Sequence, residues 1–218
     1  MAFPFTHLCV AYKVSQDPQF LLGALAPDAV HYRKEFIGAS MSGVNSIGGA
    51  KKITHLCPVS DEKWGSVTDN DGWIKNVKSF LQASPKDIFY TGYAAHVLTD
   101  IQNNQTLWAN FRTAHPHEAA KGYKSLYYSD LKNIDYRLFH ELPDSAEIMR
   151  ILANANPQEM PGLVYKNEVY DIQQNILHEH FKNSAPDANY KYNFISFDDT
   201  LEFIGTAAAF VKTILGII

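Results

Sequence analysis

The 218-residue chain has only two thiols, Cys9 and Cys57, too few for a disulfide scaffold, and both are read as reduced. Positive charge is also in short supply. Nineteen Lys and Arg stand against 23 Asp and Glu, for a formal charge of −4, and no basic block occurs anywhere. The electrostatic footprint of a nucleic-acid binder is therefore missing, and no specific nucleic-acid partner is expected. The first residues show no cationic start followed by an apolar core, so a cytoplasmic protein is expected. No clean apolar run reaches the roughly 20 residues needed to span a bilayer, because Glu202 and Lys212 interrupt the stretch 201–218. That stretch reads as a buried terminal helix, with contact at a membrane surface as the alternative. Several catalytic signatures are absent too. There is no H-E-x-x-H, no G-x-S-x-G, no phosphate-cradling G-x-x-x-x-G-K-[ST] and no adjacent His-Asp pair.

What remains is an ordinary globular balance, 46% hydrophobic and 19% charged, over a length that suits one domain spanning 1–218. No strand alternation and no internal repeat is found, so the expected fold class is all-α. Helices are expected at 8–14, at 19–25 after Asp17-Pro18, and at 73–81 after Asp71-Gly72. A central helix follows at 85–111, then a long one at 116–142 opened by Pro116, with shorter ones at 145–153, 168–181 and 196–218. Between them, 38–50 is rich in Gly, Ser and Asn and reads as a mobile loop or active-site flap.

Nine histidines are generous for this length, and several fall at suggestive places. On the central helix, His96 and Asp100 are four residues apart, about one turn, so imidazole and carboxylate share a face, with Gly92 one turn earlier. A glycine inside a helix costs roughly 1 kcal/mol relative to alanine and calls for a reason such as the close approach of another helix. Alone, the pair also matches a buried histidine held by an aspartate. Three upstream fragments change the picture: Thr6-His7-Leu8, Ala26-Pro27-Asp28 and Thr54-His55-Leu56. Nitrogen and carboxylate donors in this mixture suit zinc. Thr-His-Leu-Cys occurs twice, at 6–9 and 54–57, and is read as coincidence, not as a structural zinc on Cys9 and Cys57. His31 either faces the cluster or caps a turn, while His115 and His117 flank Pro116 in a solvated loop. His178 and His180 are two apart, so on a helix they point in different directions and at most one of them joins a site.

The order of these pieces, with the segments 22–28 and 92–100 as the most specific, resembles the bacterial zinc-dependent phospholipase C family over about residues 5–140. It also resembles the related fungal single-strand-specific zinc nucleases, which share an all-helical fold. That resemblance implies a helical bundle with a central metal-binding helix and zinc ions around a phosphodiester. Asp28, His55, His96 and Asp100 then look like the ligands of one zinc. His7 looks like a ligand of a neighbouring zinc, with Asp100 bridging the two. Family members also use the mature N-terminal amine, which here would require removal of Met1. The chain departs from the pattern after Asp100, where no histidine occurs before His115, and at the later ligand pair, where Leu131 and Asp135 stand. One or two zinc ions are expected, with His31, Asp135, His178 and His180 as possible additional ligands.

The function these residues suggest is a zinc-dependent hydrolase of phosphoric esters acting on a phosphoester small molecule or lipid head group. Asp28 both binds metal and orients water, and Tyr32, Trp73 and Trp108 line an apolar wall or pack in the core. The competing expectation is a non-catalytic helical protein with a structural zinc, or a zinc site that holds a phosphorylated ligand.

Overall fold

A computed structural model describes residues 3–36, 47–58, 67–182, 186–187 and 189–217. In chain order the helices are α1 (Pro4–Val14), α2 (Pro18–Gly23), α3 (Ile47–Thr54), α4 (Asn70–Ala83), α5 (Ile88–Gln105) and α6 (Leu107–Ala114). They continue with α7 (Pro116–Ala119), α8 (Leu126–Glu141), α9 (Ser145–Ala153), α10 (Lys166–His178) and α11 (Phe197–Leu215). Short 3₁₀ stretches cover Ala26–Tyr32, Lys34–Phe36 and Gly122–Lys124. Among the described residues the only strand-like pairing is an isolated bridge between Met160 and Val164, so the fold is all-α.

Local chemistry accounts for most of the helix starts. Asp17 accepts from the amides of Gln19 and Phe20 ahead of Pro18, and Asp87 accepts from Phe89 N at 2.7 Å to open α5. Ser196 and Asp199 form a reciprocal capping box on α11. For α4 the cap is Asp69, which accepts from Gly72 N, so Asp71 and Gly72 lie in the first turn instead of preceding it. The stretch 85–111 is two helices, not one. Thr106 leaves helical geometry at φ −119°, ψ −93°, and its hydroxyl donates back to Gln102 O at 2.7 Å. The stretch 116–142 is likewise broken, by Gly122 at φ +57° after the short α7. Of the expected loop 38–50, residues 47–50 open α3, a helix whose polar and glycine-rich composition hid it; the rest lies outside the described residues.

The core wraps around α5, whose residues from Gly92 to Ile101 are all buried. A helix buried on every side has no amphipathic stripe, and α5 accordingly carries apolar residues on all faces. It packs against α2, α4, α11, α1 and α6. The crossing with α2 is a backbone contact. A Cβ on Gly92 would lie 2.1 Å from Phe20 O, and one on Gly23 would lie 2.2 Å from Phe89 O, so only glycine fits at either position. The terminal helix α11 buries Phe203, Ile204, Ala207, Ala208 and Val211 and turns Leu201 outward. Among the described residues, no helix is long and apolar enough to cross a membrane.

Candidate metal centre

The α2–α5 crossing fixes the floor of the centre. Because α2 lies directly on α5, the carbonyl of Ala24 at its end reaches His96 Nδ1 at 2.7 Å. The chain then runs into the 3₁₀ stretch that carries Asp28, which is tied to α10 by Arg33. That guanidinium donates through Nε and Nη2 to the two oxygens of buried Glu168, at 2.7 and 3.1 Å.

His55 occupies the C-cap of α3. Cys57 N donates to Lys52 O and Leu56 N to Ile53 O, a Schellman closure with Leu56 at φ +55° where glycine is usual. Its main-chain carbonyl accepts from Trp73 Nε1 at 2.7 Å, and the preceding carbonyl, of Thr54, accepts from the Tyr93 hydroxyl. Trp73 and Trp108 are both buried, the latter among Phe111, Tyr127 and Tyr128, so these indoles are core residues instead of a ligand wall.

His7 arrives from α1. Buried Asp135 on α8 accepts from Phe5 N, Thr6 N and the Thr6 hydroxyl, pinning the first turn of α1 next to α5. The His7 ring stacks on that of His96, centroids 3.7 Å apart and planes within 7°.

Five residues predicted from sequence therefore meet: His7, Asp28, His55, His96 and Asp100. His7, His55, His96 and Asp100 are at most 2% exposed, whereas the Asp28 side chain is 17% exposed and marks the open side. His96 Nε2 and His55 Nε2 are 3.2 Å apart. His55 Nε2 lies 3.4 Å from Asp28 Oδ1 and 3.7 Å from Asp100 Oδ2. His96 Nε2 lies 4.0 Å from Asp28 Oδ2 and 3.9 Å from Asp100 Oδ2. Donors about 2.0–2.2 Å from a tetrahedral zinc stand roughly 3.3–3.6 Å apart, and His55 Nε2, His96 Nε2 and Asp100 Oδ2 form one face of such a tetrahedron in slightly uneven form, with Asp28 offering Oδ1 towards His55 and Oδ2 towards His96. The other Asp100 oxygen, Oδ1, faces His7 Nε2 at 3.5 Å. Its two oxygens thus serve different neighbours.

The fit to a cation rests on which ring nitrogens carry protons. His96 Nδ1 faces Ala24 O, and His55 Nδ1 faces Lys51 O at 2.9 Å; a carbonyl only accepts, so both Nδ1 atoms carry the hydrogen. In the neutral rings both Nε2 atoms then present lone pairs to each other and to two carboxylates. Ring lone pairs and carboxylate oxygens gathered this closely suit a cation, and Nδ1–H on a carbonyl is the usual outer support of a metal-binding histidine. Both ring nitrogens of His7 are buried outside hydrogen-bond distance of any partner, with Nε2 turned towards Asp100 Oδ1 at 3.5 Å. Burial, followed by the neighbouring His7 ring, holds His96 well below the ordinary imidazole range, and burial also lowers His55. For Asp28 burial acts upward, but the Lys51 ammonium and His55 outweigh it and hold the carboxyl well below its usual range. In Asp100 the contact with His7 likewise overcomes burial, and the net shift is downward. Ligands deprotonated in this way are ready to bind metal.

Lys51 is the residue that sequence reasoning missed. It is buried, and its Nζ lies 2.6 Å from Asp28 Oδ1 and 3.2 Å from His31 Nε2. Burial works against its charge, yet Asp28 prevails and the net shift is upward. His31 therefore faces the rim of the cluster, 3.8 Å from Asp28 Oδ1, and burial together with the Lys51 charge pushes it down to about 4.

The additional candidates fall elsewhere. Asp135 is committed to the start of α1, and burial raises its carboxyl to about 6. His178 and His180 sit at and just beyond the end of α10: His178 is exposed, and His180 packs on Tyr136 and Phe181. His117 is exposed as expected, while His115 also packs against Phe111 and Phe194. The chain matches no protein-family model, no curated protein and no solved structure.

Proposed function

We propose that the protein is a zinc-dependent hydrolase of phosphoric esters, with a phospholipase C-like metal site built from Asp28, His55, His96 and Asp100 and extended by His7. The observation that carries the reading is the meeting of two imidazole Nε2 lone pairs 3.2 Å apart beside two carboxylates. Zinc bound there would polarise a phosphoryl oxygen and acidify a coordinated water towards neutrality. The chain's own residues do the remaining work. The main-chain carbonyls of Lys51 and Ala24 hold both rings in the ligating tautomer, so no change of tautomer is required on binding. Buried Asp100 keeps its charge against burial, and Asp28, the ligand on the open side, is placed to orient an attacking water.

A second reading, a non-catalytic helical protein with a structural or phosphate-ligand-binding zinc, is favoured by one contact. Lys51 Nζ already engages Asp28 Oδ1, an oxygen of the carboxylate that the first reading gives to metal and water. Turnover separates the two. Metal analysis of protein purified without chelator, followed by a panel of phosphodiesters and phosphomonoesters with and without zinc, should show zinc-dependent hydrolysis of at least one ester; bound zinc with no turnover would favour the second reading.

A further inference from the structure

His55, the C-cap of α3, lies four residues after Lys51, and the Lys51 carbonyl accepts from both His55 N and His55 Nδ1. One helical turn therefore presents an ammonium and a ligating imidazole to the same place, with Asp28 Oδ1 between them at 2.6 Å from Nζ and 3.4 Å from Nε2. The side that faces out is defined by Asp28 and by His31, whose side chain is 38% exposed. Among the described residues Asp28 and His31 form this rim, and the buried Lys51 bonds to both.

Charge counting gives the rim a meaning. Asp28 and Asp100 cancel one divalent ion, ligating imidazoles are neutral, and Lys51 then leaves the loaded centre with a single net positive charge. Without metal the same groups sum to −1. In a partly buried site such a charge is weakly screened and selects for anions. A lysine ammonium offers three N–H donors and no acceptor, which suits a terminal phosphoryl oxygen. Resting on the hydrolase reading above, we propose that Lys51, held at the rim by Asp28 and His31, is the anion-binding residue of the centre and that its ligand is a dianionic phosphoryl group, as in a phosphomonoester or inorganic phosphate. A phosphodiester carries one negative charge and two non-bridging oxygens, so it gains less from a second cation beside the metal.

Inorganic phosphate is the direct probe, titrated calorimetrically into zinc-loaded protein in a buffer free of phosphate, with zinc content measured on each sample. Wild-type protein should bind phosphate only when loaded. Lys51→Met should keep its zinc and bind phosphate at least tenfold more weakly, while Lys51→Arg retains most of the affinity. Equal phosphate affinity in Lys51→Met and wild type at equal zinc content would overturn the assignment. A second measurement needs no variant: loaded wild-type protein should prefer phosphate to dimethyl phosphate by at least tenfold, and equal affinities would overturn the proposal even if Lys51→Met does not fold. The two readings fail separately. Zinc bound without phosphate binding sinks the role of Lys51 alone, whereas wild-type protein that takes up no zinc sinks both and is read from the metal analysis.

Discussion

His55 and His96 face each other Nε2 to Nε2 at 3.2 Å, each with its other ring nitrogen on a main-chain carbonyl. Two lone pairs so placed repel unless a cation lies between them, so metal should stabilise the fold as well as occupy the site. At a free zinc concentration about 100 times Kd, binding adds about 2.7 kcal/mol, which for a chain of this size is a Tm rise of roughly 5–10 °C. His96→Ala should abolish that rise, since a ligand deletion should cost more than the roughly 10–100-fold affinity loss of an outer-shell change. Scanning fluorimetry with and without zinc checks this, and an undiminished shift in the variant would remove His96 from the centre.

The glycines at the helix crossing should be intolerant in a graded way. Gly92→Ala places a methyl 2.1 Å from Phe20 O, a main-chain atom that moves only if α2 moves. A cost of roughly 3 kcal/mol is expected, together with weaker zinc binding, because the Ala24 carbonyl and Asp28 follow α2. Gly205→Ala on α11 is the contrast: nothing lies within 4 Å of the added methyl, and the change should stabilise by roughly 0.5–1 kcal/mol. Denaturant unfolding of both variants measures the difference, and similar values would show that α2 and α5 separate at little cost.

The contrast between Gly92 and Lys51 shows what was legible in the chain itself. Gly92, His96 and Asp100 announce themselves through spacing on one helix, and the all-helical class follows from the absence of alternation. The joining of His7 to the cluster depends on Asp135 gripping α1 from 129 residues away, a relation no local pattern carries. Lys51 was hidden for a different reason. In Lys51-Lys52, after a Gly-rich stretch, it has the look of a solvated pair, and only the helix Ile47–Thr54 makes it the residue one turn before His55. The break at Thr106 was equally unreadable, since neither glycine nor proline marks it.

Acid should weaken the metal-free protein in a window set by the histidines. His55 and His96 are held below the ordinary value of about 6.5, first by burial. Below that pH the unfolded chain takes up protons that the folded state refuses. Their contribution is therefore complete above about pH 6.5 and is lost as pH falls through the folded-state values, at up to about 1.4 kcal/mol per pH unit for each histidine. Asp135 runs the other way, because a carboxyl raised to about 6 contributes stability below about pH 4 that is lost as pH rises through 6. Urea unfolding between pH 7.5 and 5 should show stability falling on acidification in the metal-free wild type and a shallower fall in His96→Gln. Equal slopes would mean that His96 is not held neutral.

The last expectation concerns the carboxylate that stands where the phospholipase C-like pattern has a metal ligand. Asp135 Oδ1 accepts from Thr6 N at 2.9 Å and from the Thr6 hydroxyl at 3.1 Å, and Oδ2 accepts from Phe5 N at 3.2 Å. With Leu131 one turn before it and His178 and His180 placed at the end of α10, Asp135 belongs to no group of three or more possible ligands among the described residues. Asp135→Asn keeps the shape but turns one acceptor into a donor facing a main-chain or hydroxyl donor. That should cost about 1–3 kcal/mol by leaving a buried donor unpaired. Zinc at the Asp28, His55, His96 and Asp100 site should stay at full occupancy, because Asp135 acts only on the placement of α1. Any loss should be confined to a second, weaker ion beside His7 and Asp100, whose ring and carboxylate are brought together by α1. Titration of wild type and variant with zinc checks both points. Three tightly held ions per wild-type chain, or loss of the first ion in Asp135→Asn, would make Asp135 a ligand after all.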